Sequence, residues 1–242
     1  MDKRYLKRTI LKKEIMSDHL GETRQLQVYL PPEYDGSQSY PVIYLQDGDD
    51  YFNMGRLATQ ANRLILDGHA HPFAAVAIPV DKKKRTSEYA PHGERNPLYL
   101  RFFTEELVPM VEREFPVAAS VDDRVLGGSS LGGTVSLHLA LNHPDRFRQI
   151  LSQSGAFLPP TLEAIRRVES LEGLKIYQTV GKSESDVPTH MGSLNLLARN
   201  REVCRALQEK NARVLYSEQE GGHTWGFWQK DLPQALLTFF GK

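Results

Sequence analysis

The apolar positions of the chain fall into short continuous runs and longer stretches with helical spacing. The runs at residues 41–46 and 73–80 are too short for helices and are typical of strands that are buried on both faces of a sheet. The stretch at residues 98–115 has the spacing of an amphipathic helix, in which Pro109 predicts a kink. This alternation predicts an α/β fold, with a mostly parallel sheet between two layers of helices.

The predicted elements continue along the whole chain. Residues 7–16 and 22–30 alternate apolar and polar side chains around a turn at 17–21, which favours an antiparallel hairpin at a sheet edge. Further strands are predicted at residues 41–46, 73–80, 122–126, 147–152, 174–180 and 213–218, and helices at 54–66, 98–115, 131–141, 160–170, 194–210 and 227–240. About eight strands without an internal repeat or a linker indicate one domain over residues 1–242.

Composition and charge narrow the class of protein. Thirty Lys and Arg residues balance thirty Asp and Glu residues, so no overall field attracts nucleic acid or an acidic membrane. The single cysteine, Cys204, cannot form an internal disulfide. The basic start of the chain is followed by no apolar run, and no segment reaches the roughly 18 apolar residues of a membrane span. We therefore expect a cytoplasmic protein with a small-molecule partner.

One stretch carries the strongest chemical signal. Residues 125–133 read V-L-G-G-S-S-L-G-G, in which Gly128, Ser130 and Gly132 fit G-x-S-x-G. A predicted strand precedes the motif and a predicted helix follows it, which is the context that places a serine at a sharp turn above a sheet. A Cβ at either flanking position would collide with the neighbouring turn. Ser130 is therefore the candidate nucleophile, and the alternative is a purely structural turn.

A serine hydroxyl needs a base, normally a histidine, to accept its proton during attack. His223 fits best, because it follows the last predicted strand in G-G-H-T-W, where paired glycines let the loop bend over the carboxyl edge of the sheet. His138 lies two turns along the helix from Ser130 and suits packing, and His190 is an outside candidate on a later loop. The chain order of the motif disfavours the histidines that precede the serine, which are His19, His69, His71 and His92.

The remaining parts of the site are expected on neighbouring loops. An acid that orients the imidazole should follow an intermediate strand, where V-G-K-S-E-S-D offers Glu184 and Asp186, and a dyad without a strong acid is a third alternative. Two backbone N–H groups should stabilise the oxyanion: that of Leu131, and that of Asp49 in D-G-D-D, where Gly48 permits a sharp turn. No metal or cofactor is required by this mechanism.

A basic run follows the carboxyl end of the strand predicted at residues 73–80. It consists of Lys82, Lys83, Lys84 and Arg85. Such runs are usually solvated, but this one emerges on the predicted catalytic side of the sheet, where it could bind an anionic substrate. Arg85 is therefore a candidate substrate-binding residue.

Six segments, in one order along the chain, carry a family resemblance. They are Y-P-V-I-Y-L-Q-D-G-D (40–49), R-T-S-E-Y-A-P (85–91), G-G-S-S-L-G-G (127–133), H-P-D-R-F (143–147), S-Q-S-G (152–155) and G-G-H-T-W (221–225). The chain resembles the esterase family that includes enterochelin (ferric enterobactin) esterases, with esterase D and the mycolyltransferases as more distant kin.

The resemblance implies an α/β-hydrolase with little or no lid, with Ser130 as nucleophile and His223 as base. It favours Glu184 as the acid, although some members work with a weak or absent acid, and it favours the N–H of Asp49 as the second oxyanion donor. Arg85 and Glu88 match an R-x-x-E pattern of the family to which we assign no role here.

Together, the residues and the resemblance predict a serine esterase that cleaves a carboxylic ester through an acyl-enzyme. The expected substrate class is a siderophore trilactone or a related ester. The first alternative is a thioesterase or a carbohydrate-ester hydrolase acting on feruloyl or acetyl groups. The second is a binding protein that has kept the fold without the reaction.

Overall fold

The buried apolar runs form the central strands of the computed structural model, which describes residues 2–189 and 192–242. The strands are β1 (Thr9–Ser17), β2 (Glu22–Leu30), β3 (Val42–Gln46), β4 (Ala74–Ile78), β5 (Arg124–Ser129), β6 (Gln149–Gln153), β7 (Lys175–Gly181), β8 (Val187–Thr189), β9 (Gly192–Leu194) and β10 (Arg213–Gln219). Within the described residues, β8 and β9 pair with each other in a small antiparallel sheet that the sequence did not predict.

The helices lie between these strands in chain order. They are α1 (Gly48–Asn53), α2 (Leu57–Leu66), α3 (Arg85–Tyr89), α4 (Asn96–Arg101), α5 (Val108–Glu114), α6 (Leu131–Asn142), α7 (Pro159–Arg167), α8 (Leu196–Glu209) and α9 (Trp225–Phe240), with a 3₁₀ turn at Lys3–Leu6 and a π segment at Phe102–Leu107. None of the helices traced within the described ranges combines the length and apolar character needed to span a bilayer.

The main sheet has eight strands in the order β1-β2-β4-β3-β5-β6-β7-β10. β1 pairs antiparallel with β2, and β2 pairs antiparallel with β4, whereas all the later neighbours are parallel. This confirms the predicted α/β-hydrolase fold, including the antiparallel hairpin at one edge. Because β5 lies between β3 and β6, its carboxyl end is at the centre of the sheet edge where the site is expected.

Both faces of the sheet are covered, which explains the continuous apolar runs. In β3, Tyr44 packs into the core on one side, with α5, α6 and α8, while Ile43 packs into the core on the other side, with α1, α2 and α9. All five residues of β3 are buried, as expected for a strand between two layers of helices.

The predicted helix at 54–66 is wrong at its beginning. The D-G-D-D stretch that reads as a turn starts the separate helix α1, and α2 begins only at Leu57. Asp47 makes the turn in a left-handed conformation, with φ of 52°. Gly48 then lies so close to β4 that a Cβ would be 2.3 Å from the Cα of Ala77. The tight turn is therefore one residue long, and the helix follows at once.

The predicted helix at 98–115 runs through α4, the π segment and α5. Pro109 is the second residue of α5, and the π segment ends at Leu107, directly before α5. Proline lacks the N–H that would bond four residues back, and its ring crowds the carbonyl at that position. The wider π turn gives the backbone another hydrogen-bond pattern at this point.

Replacing Phe103, which lies in the π segment, tests the packing of this core. Its ring is fully buried and meets Tyr44 and Phe147 edge to face, with centroids 5.7 and 5.8 Å away. We expect Phe103→Ala to lower the free energy of unfolding by about 3–5 kcal/mol, because the cavity cannot close fully. Urea unfolding followed by circular dichroism measures this loss.

Leu98→Ala is the matched control, because Leu98 is 38% exposed on the same helical stretch. It should change the free energy of unfolding by no more than about 0.5 kcal/mol. Equal effects of the two substitutions would contradict the packing described for Phe103.

Candidate active site

Ser130 is itself the turn between a strand and a helix. β5 ends at Ser129 and α6 begins at Leu131, so a single residue reverses the chain, with φ of 55° and ψ of −123°. This conformation is costly for a residue with a Cβ and persists only where neighbouring bonds impose it. The Ser130 N–H donates to the Gln153 carbonyl at 2.9 Å, and the Ser130 carbonyl accepts from the Ala156 N–H at 3.0 Å. The half-buried side chain is thereby held above the sheet.

The glycines of the motif make this turn possible. A Cβ on Gly128 would lie 2.4 Å from the carbonyl carbon of Gly132, well inside van der Waals contact. A Cβ on Gly132 would press on the Gln46 side chain of β3, at 3.1 Å. The start of α6 therefore approaches β5 more closely than a Cβ would allow, and it lies in tight contact with β3.

Three side chains from distant parts of the chain form one line of hydrogen bonds. His223 Nε2 lies 3.0 Å from Ser130 Oγ, and His223 Nδ1 lies 2.8 Å from Glu184 Oε2. In the neutral ring, Nδ1–H donates to the carboxylate, and Nε2 is left to accept from the serine hydroxyl. A base within reach of a nucleophile, and oriented by an acid, is the arrangement that activates serine.

Glu184 is fully buried, and hydrogen bonds fix its Oε1 atom as well as Oε2. Glu184 Oε1 accepts from Ser154 Oγ at 2.6 Å and from the Gly181 N–H at 2.8 Å. Ser154 Oγ in turn accepts from Trp228 Nε1 at 2.9 Å. The carboxylate therefore has one orientation, which directs Oε2 at the imidazole.

The structure separates the two acids that the sequence left open. Asp186 is exposed and accepts a hydrogen bond from Ser193 Oγ on β9, whereas Glu184 turns inward to His223. His138 is buried against Thr161 Oγ1 at 3.0 Å, and burial lowers its pKa to about 4. His190 lies outside the described residues.

Ser154 and two tryptophan rings complete the surroundings of Glu184 and His223. Ser154 belongs to the S-Q-S-G segment, which carried only a resemblance, and it links Glu184 to Trp228. The Trp228 ring packs edge-on against His223, with centroids 4.9 Å apart, and Trp225 packs edge-on against Trp228 at 5.3 Å. These rings restrict the movement of the imidazole and form one wall of the site.

An open pocket of about 260 Å³ lies at Ser130. Its lining includes Asp47, Asp50, Lys82, Arg85, Ser129, Ser130, His223, Trp225 and Trp228. The lining therefore combines aromatic rings with charged side chains.

The two expected oxyanion donors lie at the starts of helices. Leu131 is the first residue of α6, and Asp49 is the second residue of α1. Backbone N–H groups in the first turn have no partner within their own helix, which is why these two are candidates to bind an oxyanion. The carboxylate of Asp49 is partly buried, and burial, together with nearby Asp50, raises its pKa.

Most charges of the basic run already have partners within the protein. Arg85 makes a two-point ion pair with Asp47, at 2.7 Å from Nε and 2.6 Å from Nη2. Lys82 Nζ lies 2.7 Å from Asp50, and Lys84 pairs with Glu22. Lys83 is exposed and has no ion-pair partner in the part of the chain that the structure describes.

Within residues 2–189 and 192–242, no three His, Cys, Asp or Glu side chains lie close enough together to hold an ion. The site brings the Ser130 hydroxyl, the His223 imidazole and the Glu184 carboxylate into one line of hydrogen bonds.

The fold and the arrangement at Ser130 are those of an α/β-hydrolase. The family described as "Putative esterase" matches residues 17–239, and the chain belongs to this family. Membership supports hydrolysis of a carboxylic ester as the activity.

Individual relatives differ in how much of their length is shared. The uncharacterized protein YjcH of Bacillus subtilis is 36% identical over 230 residues, which cover 94% of this chain and 96% of YjcH. The iron(III) enterobactin esterase of Escherichia coli K12 is 29% identical over 94% of this chain, which spans 57% of that enzyme. The solved structure of a ferulic acid esterase superposes with a TM-score of 0.82 at 19% identity, covering 96% of this chain and 98% of that one.

The inward position of Glu184 generates a prediction about the acid. We expect Glu184→Gln to lower kcat for ester hydrolysis by roughly 10²–10⁴-fold, because an amide cannot stabilise the imidazolium that forms on His223. Steady-state kinetics with p-nitrophenyl acetate measure this loss.

Asp186→Asn removes a carboxylate two residues away that is exposed and bonded to Ser193. It should leave kcat within about twofold of the wild type. An unchanged kcat in Glu184→Gln would instead indicate a Ser-His dyad.

Proposed function

We propose that this protein is a serine hydrolase that cleaves a carboxylic ester through an acyl-enzyme on Ser130. The observation that carries the proposal is the continuous line from Ser130 Oγ to His223 and on to buried Glu184, at 3.0 and 2.8 Å. A structural turn needs none of these contacts. A strained serine whose hydroxyl faces a base in an open pocket is suited to attack on a carbonyl carbon.

Acylation follows from these positions. Ser130 Oγ attacks the ester carbonyl while His223 Nε2 takes its proton, and Glu184 stabilises the resulting imidazolium. The N–H groups of Leu131 and Asp49 bind the oxyanion of the tetrahedral intermediate. His223 then gives the proton to the leaving alkoxide oxygen as the ester bond breaks, which leaves an alcohol and an acylated Ser130.

Deacylation repeats the sequence with water. His223 takes a proton from the water as its oxygen attacks the acyl carbon. The second tetrahedral intermediate collapses, His223 returns the proton to Ser130 Oγ, and the carboxylic acid leaves. His223 accepts and returns one proton in acylation and again in deacylation, so these steps require no metal or redox cofactor.

The substrate class that we propose is a siderophore trilactone or a related bulky ester. The identity to an iron(III) enterobactin esterase supports it, since the match covers 94% of this chain. The pocket of about 260 Å³ is small and open, so a large substrate would place only its scissile ester there and leave the remainder outside. Trp225 offers an aromatic face beside that position.

Carbohydrate esters are the second candidate. The ferulic acid esterase that shares the fold matches over almost the full length of both chains. An open pocket also suits an ester that decorates a polysaccharide.

Ser130→Ala tests the reaction itself. We expect kcat for p-nitrophenyl acetate to fall by about 10⁴-fold or more, because no other group can form the acyl-enzyme. Circular dichroism and the melting temperature should stay close to those of the wild type. Retained turnover in folded Ser130→Ala would refute the nucleophile.

A substrate panel tests the proposed class. The purified protein is assayed with a ferric catecholate trilactone, an S-acyl thiol, a feruloyl sugar and an acetyl sugar under identical conditions. We expect the highest kcat/KM on the trilactone. A higher kcat/KM on either sugar ester would favour the second candidate, and a preference for the S-acyl thiol would indicate a thioesterase.

A further inference from the structure

The short helix α3 joins the catalytic edge of the sheet to a buried cluster of charges. Arg85, its first residue, makes the two-point pair with Asp47 in the turn before α1. Glu88, three residues later, is fully buried and pairs with Arg24 of β2 and with Arg95, whose Nε lies 3.2 Å away. The R-x-x-E spacing thus provides an ionic anchor at each end of the helix.

Asp47 is the point at which α3 contacts the site. Its side chain is only 3% exposed, and its backbone has the left-handed φ of 52° that starts α1. The Asp47 N–H donates to the hydroxyl of Tyr89, the last residue of α3, at 3.3 Å. Both the backbone and the carboxylate of this turn are therefore held by one helix.

Arg85 also reaches the nucleophile turn. Its Nη2 lies 3.5 Å from the carbonyl oxygen of Ser129, the residue before Ser130. The same guanidinium therefore spans the carboxyl ends of β3 and β5, which are neighbouring strands. A planar group with several fixed donors can serve two acceptors at once, which an ammonium group does less well.

We propose that Arg85 is a positioning residue for this reaction, which sets the distance between the α1 turn and Ser130. This inference rests on the proposed function. By binding Asp47 and facing the Ser129 carbonyl, Arg85 holds the Asp49 N–H at the place where the oxyanion forms. It acts through Asp47, and its charge is already used within the protein, so it does not select anionic substrates.

Arg85→Lys is the main test, because it keeps the charge beside buried Asp47 and spares the fold. We expect kcat for neutral p-nitrophenyl acetate to fall by about 10–100-fold, since a small displacement of an oxyanion donor is costly. KM should stay within about threefold, because ground-state binding does not use this contact.

Arg124→Lys is the matched control. Arg124 is also a largely buried arginine, bonded to a carboxylate (Glu112, 2.5 Å from Nε) and to a carbonyl (Arg146, 3.3 Å from Nη1), but it lies at the opposite end of β5. The same substitution there should leave kcat within about twofold of the wild type. Equal losses of kcat in both variants would reduce Arg85 to a structural role and overturn the inference.

Chemical rescue gives a second readout that a structural role would not move. In Arg85→Ala, millimolar guanidinium should raise kcat by at least about tenfold, because it fills the site beside Asp47, whereas equimolar ammonium should not. No rescue in folded Arg85→Ala overturns the inference, and if this variant does not fold, the Arg85→Lys result decides.

The outcomes separate this inference from the function on which it rests. Wild-type turnover that disappears in Ser130→Ala supports the hydrolase, and normal kcat in Arg85→Lys then overturns the inference alone. A rise in KM confined to anionic esters, with kcat unchanged, would also overturn it and would make Arg85 a substrate contact. A wild type that hydrolyses no ester would refute the function itself.

Discussion

The site depends on how closely two backbone segments approach each other. The end of β5 and the first turn of α6 leave no room for a Cβ on Gly128, and Ser130 must take a φ of 55° between them. Strain of this kind costs on the order of 1–3 kcal/mol and needs neighbouring bonds to persist. Here the bonds to Gln153 and Ala156, on the adjoining β6 and its loop, impose it. The same close approach brings α6 against Gln46 of β3 and beside Asp47, so the Ser130 turn packs next to the turn that precedes α1.

The sheet order then assembles the other groups. Parallel strands direct their carboxyl ends to one edge, so the loops after β7 and β10 bring Glu184 and His223 to the serine although 93 positions separate His223 from Ser130. The chain carries no net charge. Its buried carboxylates near the site each lie beside specific partners. Glu184 has His223, Ser154 and a backbone N–H, and Asp47 has Arg85. Each of these contacts fixes its carboxylate in one orientation.

Signals within a few residues made most of the fold predictable, and they also pointed to Ser130 and His223. Apolar runs indicated the buried strands, the glycines around Ser130 indicated the turn, and the position of His223 after the last strand indicated a candidate base. Contacts between distant residues were not predictable from such patterns. Glu184 and Asp186 are chemically alike and two positions apart; the family resemblance favoured Glu184, and the structure shows it buried against Ser154 and Gly181 while Asp186 is exposed. The partner of Arg85 lies 38 positions away, so a basic run that suggested an anionic substrate gave no sign of the pair with Asp47.

The central claim is that Ser130 becomes covalently modified because His223 and Glu184 activate it. Mass spectrometry of the intact protein after reaction with a fluorophosphonate, followed by peptide mapping, tests this claim most directly. The account predicts one adduct per chain, located on Ser130, with labelling that is strongly slowed when His223 is replaced by alanine. The claim would be contradicted if the protein stayed unmodified. It would also be contradicted if the adduct lay on another residue and formed at the same rate in Ser130→Ala.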